Sequence, residues 1–301
     1  MEVSGCTLCP RRCSTERGRG FCGAPEGLQV ASVCLHRGEE PPLNPIVNVF
    51  FAHCNLQCIY CQNWQISGGT KSKEWREESV DNIAERIAEL LPSSDGMLGL
   101  VTAAHYANRL PAIVDALHRH GLEPTIVYNS SGYESVESLR NLEGIVDIYL
   151  PDFKYMDHQL AAAYSHAPDY PEVAAVALKE MKRQVGQGLM TDDNGRARRG
   201  IIVRHLVLPG AVANSKQCLD WLADNFDSFR LHLSLMAQYF PPRPGLPAPL
   251  NRTLNAEEYQ AVCDHADALG FTEGWQQELD AQTNYRPDFD ADGNPFEPSA
   301  Q

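Results

Sequence analysis

The chain has 301 residues, 43% of them hydrophobic, enough for one large domain with a small appendage or for two ordinary ones. Its 25 basic and 39 acidic residues leave a formal charge of −14, which argues against nucleic acid as a partner, because such binders draw most of their affinity from basic surface. No run approaches the ~18 uninterrupted apolar residues of a spanning helix and no apolar leader opens the chain, so the expectation is a cytoplasmic protein without membrane association.

Residues 1–44 are rich in cysteine, arginine and glycine and show no helical or strand period, so something other than a core has to hold them. "CTLCPRRC" followed by "GFCGAP" supplies Cys6, Cys9, Cys13 and Cys22, a complete ligand set for an iron–sulfur cluster or a structural zinc. Ten cysteines without an export signal favour such chemistry over disulfides. Cys218 and Cys263 sit singly in helical patterns and read as packed thiols, and Cys34 stays unassigned. "PIVNVFFA" (45–52) reads as a strand opened by Pro45. Directly after it, "HCNLQCIYCQNW" places Cys54, Cys58 and Cys61 at spacings of four and three. Three thiolates leave one metal of a cluster open to another molecule; a structural metal loop borrowing His53 or Cys34 is the competing reading.

"ESVDNIAERIAELL" (78–91) then puts Val80, Ile83, Ile87 and Leu90 on one helical face. The alternation continues: "MLGLVTA", "PTIVYN", "VDIYLPDF", "GIIVRHLVLP" and "FRLHLSLMAQY" are each followed by an amphipathic helical stretch. The resulting six strand–helix units imply an α/β fold with a parallel sheet and right-handed crossovers. An open partial (β/α)6 barrel suits that number, a doubly wound sheet is the competing architecture, and periodicity does not separate them. The chain divides into a Cys-rich metal-binding extension (1–44), a core (45–275) and a polar tail (276–301). The tail's Asp288, Asp290 and Asp292 begin like a calcium loop, but Ser299 stands where a glutamate belongs and Pro295 intrudes, so a solvated turn is expected.

Either architecture places its chemistry at the C-terminal ends of the strands. Polar residues gather there: the three cysteines, His105, Asn129, Asp152 with Lys154, Arg204 with His205, and Gln238. Such repetition at one edge describes a single pocket mouth.

The segments "CNLQCIYCQNWQIS", "VYNSSGYES", "VDIYLPDFKY", "RRGIIVRHLVLPG" and "LMAQY" together resemble the radical S-adenosylmethionine superfamily. Within it they look like the pyruvate formate-lyase activating enzyme-like (PflX-type) branch, from Cys6 to Tyr239. The resemblance implies a partial (β/α)6 TIM-like barrel and a [4Fe-4S] cluster on Cys54, Cys58 and Cys61. It further implies S-adenosyl-L-methionine on the open iron, cleaved reductively to a 5′-deoxyadenosyl radical that abstracts hydrogen. An anaerobic oxidoreductase of this kind acts on a protein or peptide, with a glycyl radical enzyme as the candidate target, or else modifies a peptide or metabolite. It takes its electron from a small flavodoxin- or ferredoxin-type protein. Asp152 and Lys154 match the family's Asp-x-Lys, and Asn129 its polar residue ending the third strand, as cofactor-binding residues; Arg204 and Gln238 join them from neighbouring strand ends. The family's Gly-Gly-Glu segment is missing, so Thr102, His105 and Tyr106 would have to receive the cofactor's amine. No residue is assigned a catalytic role.

Overall fold

The computed structural model describes residues 5–68, 75–284, 286–291 and 293–297. The strands are β1 (Val30–His36), β2 (Ile46–Phe51), β3 (Met97–Val101), β4 (Thr125–Ser130), β5 (Ile148–Pro151), the two-residue β6 (Met190–Thr191), β7 (Ala197–Leu206), β8 (His232–Met236) and β9 (Gly274–Gln276). Between them run α1 (Val80–Leu90), α2 (Leu110–Arg119), α3 (Val136–Arg140), α4 (His158–Ser165), α5 (Tyr170–Val185), α6 (Val212–Asn225) and α7 (Ala256–Ala268). The sheet order is β1-β2-β3-β4-β5-β7-β8-β9, parallel from β2 onward, with β6 paired to β7 off this path. Each parallel strand is laid beside its predecessor and the order never doubles back. A doubly wound sheet reverses at a switch point, so that alternative is excluded and the sheet is an open partial barrel.

Three strands lie outside the expected alternation: β1, β9 and the two-residue β6 that pairs antiparallel with β7. β1, in the segment without apparent period, pairs antiparallel with β2, His36 opposite Ile46, while β9 adds a short seventh parallel strand. The tail is also more than a polar appendage. Phe289 and Phe296 pack on Phe50 with ring centroids 5.2 and 5.6 Å away, Phe296 lies 4.1 Å from His36, and Asn294 donates to the Leu35 carbonyl at 2.8 Å. Asp288 and Asp290 accept hydrogen bonds from Gln65 at 2.8 Å; Asp292 and Ser299, on which the calcium-loop reading turned, lie outside the described residues.

The two faces of the sheet follow from the period of two along each strand. Val47, Val49 and Phe51 of β2, Leu98 and Leu100 of β3, Ile126 and Tyr128 of β4, and Ile201 and Val203 of β7 belong to the main core with the helices. Their alternates Ile46, Met97, Val127, Ile148, Leu150 and Ile202 form a second cluster inside the barrel with Leu43. Two residues further along the same inward rows stand Asn48, Gly99, Asn129, Asp152 and Arg204. The barrel is therefore plugged with hydrocarbon at the N-terminal ends of its strands and polar toward their C-terminal ends. Gly99 is required there: a Cβ at this position would lie 1.9 Å from the Asn48 amide oxygen. The helices are fixed by local signals. Ser79 accepts the Asn82 amide at the start of α1, and Asn255 with Glu258 caps α7 reciprocally. Among the described residues no helix is long and apolar enough to cross a membrane.

Candidate active site

The loop leaving β2 carries the three cysteines. His53 (φ 73°) and Gln57 (φ 55°) adopt left-handed backbone, which turns the chain back on itself between them. Cys54 Sγ accepts the Leu56 amide at 3.4 Å, and Cys58 Sγ accepts the Ser165 hydroxyl at 2.9 Å. Behind that serine runs a buried chain: Tyr155 Oη lies 2.8 Å from Ser165 Oγ and donates to Tyr60 Oη at 2.6 Å. Gln62 donates to the Gln238 carbonyl at 2.9 Å, tying the loop to the end of β8. All three thiols face a cavity of about 520 Å³ in the mouth of the barrel, a size typical of small-molecule and cofactor sites. Burial raises each thiol's pKa, Cys61 to about 12 with Cys58 and Cys54 beside it.

The same cavity is lined by Asn129, Asp152, Lys154, Arg204 and Gln238, so five of the six proposed cofactor residues share it with the three cysteines. Lys154 Nζ lies 2.6 Å from Asp152 Oδ2, and Arg204 Nε lies 3.4 Å from Asp152 Oδ1. Arg204 also donates to Asn129 Oδ1 at 2.7 Å and to Glu39 Oε2 at 2.9 Å. Burial opposes ionisation of Asp152, but Lys154 and Arg204 outweigh it and hold the carboxyl below its ordinary range; Asp152 in turn keeps Lys154 charged. Asp152 is placed by its backbone, its amide donating to the Ser130 carbonyl at 2.8 Å while Phe153 bonds Arg204 across to β7. Gly132 (φ 80°) allows this packing, since a Cβ would lie 2.4 Å from the Asp152 carbonyl oxygen.

Two site residues have no signal in the sequence. Glu39 and Glu40, from the segment between β1 and β2, line the cavity and reach across the barrel interior: Asn48 on β2 donates to Glu39 at 3.0 Å, and Arg204 on β7 meets both carboxylates. Burial raises the Glu40 pKa against the pull of Arg204. A pair of glutamates before a strand reads as surface; only the tertiary fold turns it inward.

His105 is placed elsewhere. Its Nε2 donates to the Ala52 carbonyl at 2.8 Å, Nδ1 is buried without a hydrogen bond, and burial pushes the pKa down to about 3. It lines a second, small cavity together with Cys6, Cys9, Cys13 and Cys22, not the large one. Thr102 does line the large cavity; Tyr106 does not. His205 spends Nδ1 on the Phe153 carbonyl and Nε2 on Ser215 and is fully committed to packing.

A cluster with S-adenosylmethionine can be tested against this cavity. Three thiols line the cavity together with the Asp152, Glu39 and Glu40 carboxylates, the Lys154 ammonium, the Arg204 guanidinium and the Asn129 and Gln238 amides; Asp152 Oδ1 is buried without a hydrogen bond. Among the described residues no three histidine, cysteine or acidic side chains come together to hold a single ion. Three thiolates leave one metal of a cluster open, and the donor set of the cavity fits such a cluster together with a zwitterionic nucleoside.

Fold and site together define an α/β partial barrel with a thiol-bearing loop after its first parallel strand. No family model matches the chain. Over 268 residues it is 28% identical to the uncharacterised protein MJ0674 of Methanocaldococcus jannaschii, covering 87% of this chain and 74% of that one. A second uncharacterised protein of that organism, MJ0808, is 31% identical over 98 residues, 27% of this chain and 29% of that protein. Among solved structures, native anSMEcpe with bound AdoMet superposes with a TM-score of 0.52 at 12% identity, covering 75% of this chain and 61% of that one. The polyhistidine-tagged form with AdoMet gives 0.51 at 10% identity, covering 75% and 58%. Methylornithine synthase (PylB) gives 0.50 at 14%, covering 74% and 61%. At these identities the likeness is one of fold, and the chain spans about three-fifths of the length of the structures it matches.

Proposed function

We propose that this chain is a radical S-adenosylmethionine enzyme acting on a protein or peptide, in the manner of the activating enzymes. The observation that carries the reading is the convergence of Cys54, Cys58 and Cys61 with Asn129, Asp152, Lys154, Arg204 and Gln238 on one cavity. When bound, the cluster and cofactor supply reductive cleavage of the sulfonium bond and a 5′-deoxyadenosyl radical able to abstract hydrogen. The chain's own residues supply ligands, orientation and exclusion of water. Cys54, Cys58 and Cys61 hold the cluster. Lys154 offers its ammonium to a carboxylate, and Asp152 Oδ1, free of hydrogen bonds, is an acceptor for ribose hydroxyls or an amine. Arg204 fixes Asp152 and Asn129 relative to each other, so the acceptor and amide meet a ligand as one preorganised unit. The hydrocarbon plug below and Phe50, Val101 and Phe296 on the walls keep water from the reacting centre. The fold neighbours include one protein, anSMEcpe, solved with AdoMet in its native and tagged forms, which supports the reading of the cavity. A glycyl radical enzyme as target, and a flavodoxin- or ferredoxin-type electron donor, complete the proposal.

The test is anaerobic reconstitution followed by assay of 5′-deoxyadenosine under a strong one-electron reductant. The wild-type chain should form it, and Cys58→Ala should lose activity by about 100-fold or more, since a cluster missing a ligand is not held. Unchanged cleavage in Cys58→Ala overturns the proposal.

A further inference from the structure

We propose that Cys6, Cys9, Cys13 and Cys22 form a second metal centre, a thiolate site for zinc or iron faced by His105, separate from the three-cysteine loop. It does not depend on the function proposed above.

Residues 5–27 contain no helix and no strand, and Cys9 and Ala24 are their only buried apolar side chains. A segment of this kind gains little from the hydrophobic effect, so its order has to come from specific bonds. Its four thiols line one small cavity with Arg11, Arg17 and His105. Three of the sulfurs accept an N–H bond: Cys6 from Arg17 at 3.8 Å, Cys13 from the Phe21 amide at 3.5 Å and Cys22 from the Ala24 amide at 3.5 Å. A neutral thiol is a poor acceptor, and three sulfurs each met by an N–H are arranged for thiolates. Four thiolates around a doubly charged metal core leave excess negative charge, which the guanidinium groups on the cavity wall offset.

His105 is the independent observation. A carbonyl only accepts, so the 2.8 Å contact to Ala52 fixes the imidazole proton on Nε2 and leaves a bare lone pair on Nδ1. That nitrogen is buried, without a partner, in a residue 2% exposed on the wall of the thiol cavity. Metal-binding histidines are held in this way, one ring nitrogen pinned to a carbonyl and the other free for the metal, so His105 is a fifth donor at a site that needs four and can take the place of one thiolate. A buried lone pair that nothing in the protein satisfies asks for such a partner. Among the described residues no three such ligands yet come together around a single ion, so loading draws the loop in, and binding and ordering are one event. Because Ala52 stands two residues before Cys54, the second centre braces the strand end that carries the first.

The experiment uses the full chain with Cys54→Ala, Cys58→Ala and Cys61→Ala, which removes the first site. One portion is incubated with zinc, another reconstituted anaerobically with iron and sulfide, and metal is counted after desalting. Retention of about one zinc or about four irons per chain is expected, and the metal retained identifies the occupant. Adding Cys6→Ser, Cys9→Ser, Cys13→Ser and Cys22→Ser should abolish it. His105→Phe, with the four cysteines intact, should speed loss of metal to a chelator by roughly tenfold. Should the four-serine chain fail to fold, titration of the three-alanine chain with cobalt(II) gives an independent reading through its intense sulfur-to-cobalt absorption. Retention of neither metal, absence of that absorption, or undiminished metal in the four-serine chain overturns the proposal; an unchanged chelator rate in His105→Phe removes the histidine from it.

Discussion

Lys154 and Asp152 are each other's nearest charge, 2.6 Å apart, with side chains only 14% and 20% exposed, so neither can be removed alone at small cost. In Asp152→Asn, Arg204 keeps Glu39 and Asn129, whereas Lys154 loses the one ion-pair partner it has among the described residues. The expected loss is about 3 kcal/mol, because the charge left behind stays buried without compensation. Replacing Lys154 by Met in the Asp152→Asn background should recover more than half of it. Urea unfolding of the single and double variants checks this; a double variant no more stable than the single would show that the loss comes from packing rather than from the stranded ammonium. The same pair sets an acid limb. Asp152's folded pKa lies below its unfolded value of about 4, so its contribution is present above that pH and fades as pH falls through the folded value.

At the scale of elements, the unexpected pieces extend the sheet at both edges and pack the tail onto β1 and β2. β1 buries Val30, Ser32, Cys34 and His36 on one face, a period of two that is present in the sequence but muted because two of the four residues are polar. Phe289 and Phe296 stand seven residues apart among aspartates and prolines, so no local pattern marks them as a packing pair. The core strands were legible because their apolar runs recur with helices between them, and the site was legible where a residue's place at a strand end fixes its direction, as at Asn129, Asp152 and Arg204. His105 misled for the same reason: a strand end offers two cavities, and sequence does not say which one a side chain enters. Glu39 and Glu40 were invisible because their role depends on a loop folding into the barrel from outside. Phe289 is 5% exposed and Phe296 lines the cavity, so Phe289→Ala should cost about 3 kcal/mol and loosen the wall that both rings build. Hydrogen exchange should quicken in β1 and at Phe50, while α6 and α7, remote from this contact, keep their protection; uniform acceleration would mean that the tail serves global stability instead.

For the whole molecule, stability against pH is governed in part by a carboxyl that no site uses. Glu134, 2% exposed, accepts the Ser130 hydroxyl at 2.6 Å and the Tyr128 hydroxyl at 3.2 Å, tying the end of β4 to the approach of α3. Burial outweighs these two donors and pushes its pKa up to about 7. The unfolded chain releases that proton at about pH 4.3, so between there and about pH 7 the folded state holds a proton that the unfolded state has lost. The stabilisation is therefore fully present below the unfolded value and is lost as pH rises through the folded one, about 3 kcal/mol across the window. Glu134→Gln keeps a neutral group of the same shape at every pH and does not have this dependence. The stability of Glu134→Gln relative to the wild type should therefore rise by about 3 kcal/mol between about pH 4.5 and about pH 7.5, with the gap constant above that range. Urea unfolding at several pH values in one buffer series reads the difference directly, and other titrating groups cancel because both chains share them. Parallel stability curves would mean that Glu134 is ionised throughout, held by hydrogen bonds stronger than its burial.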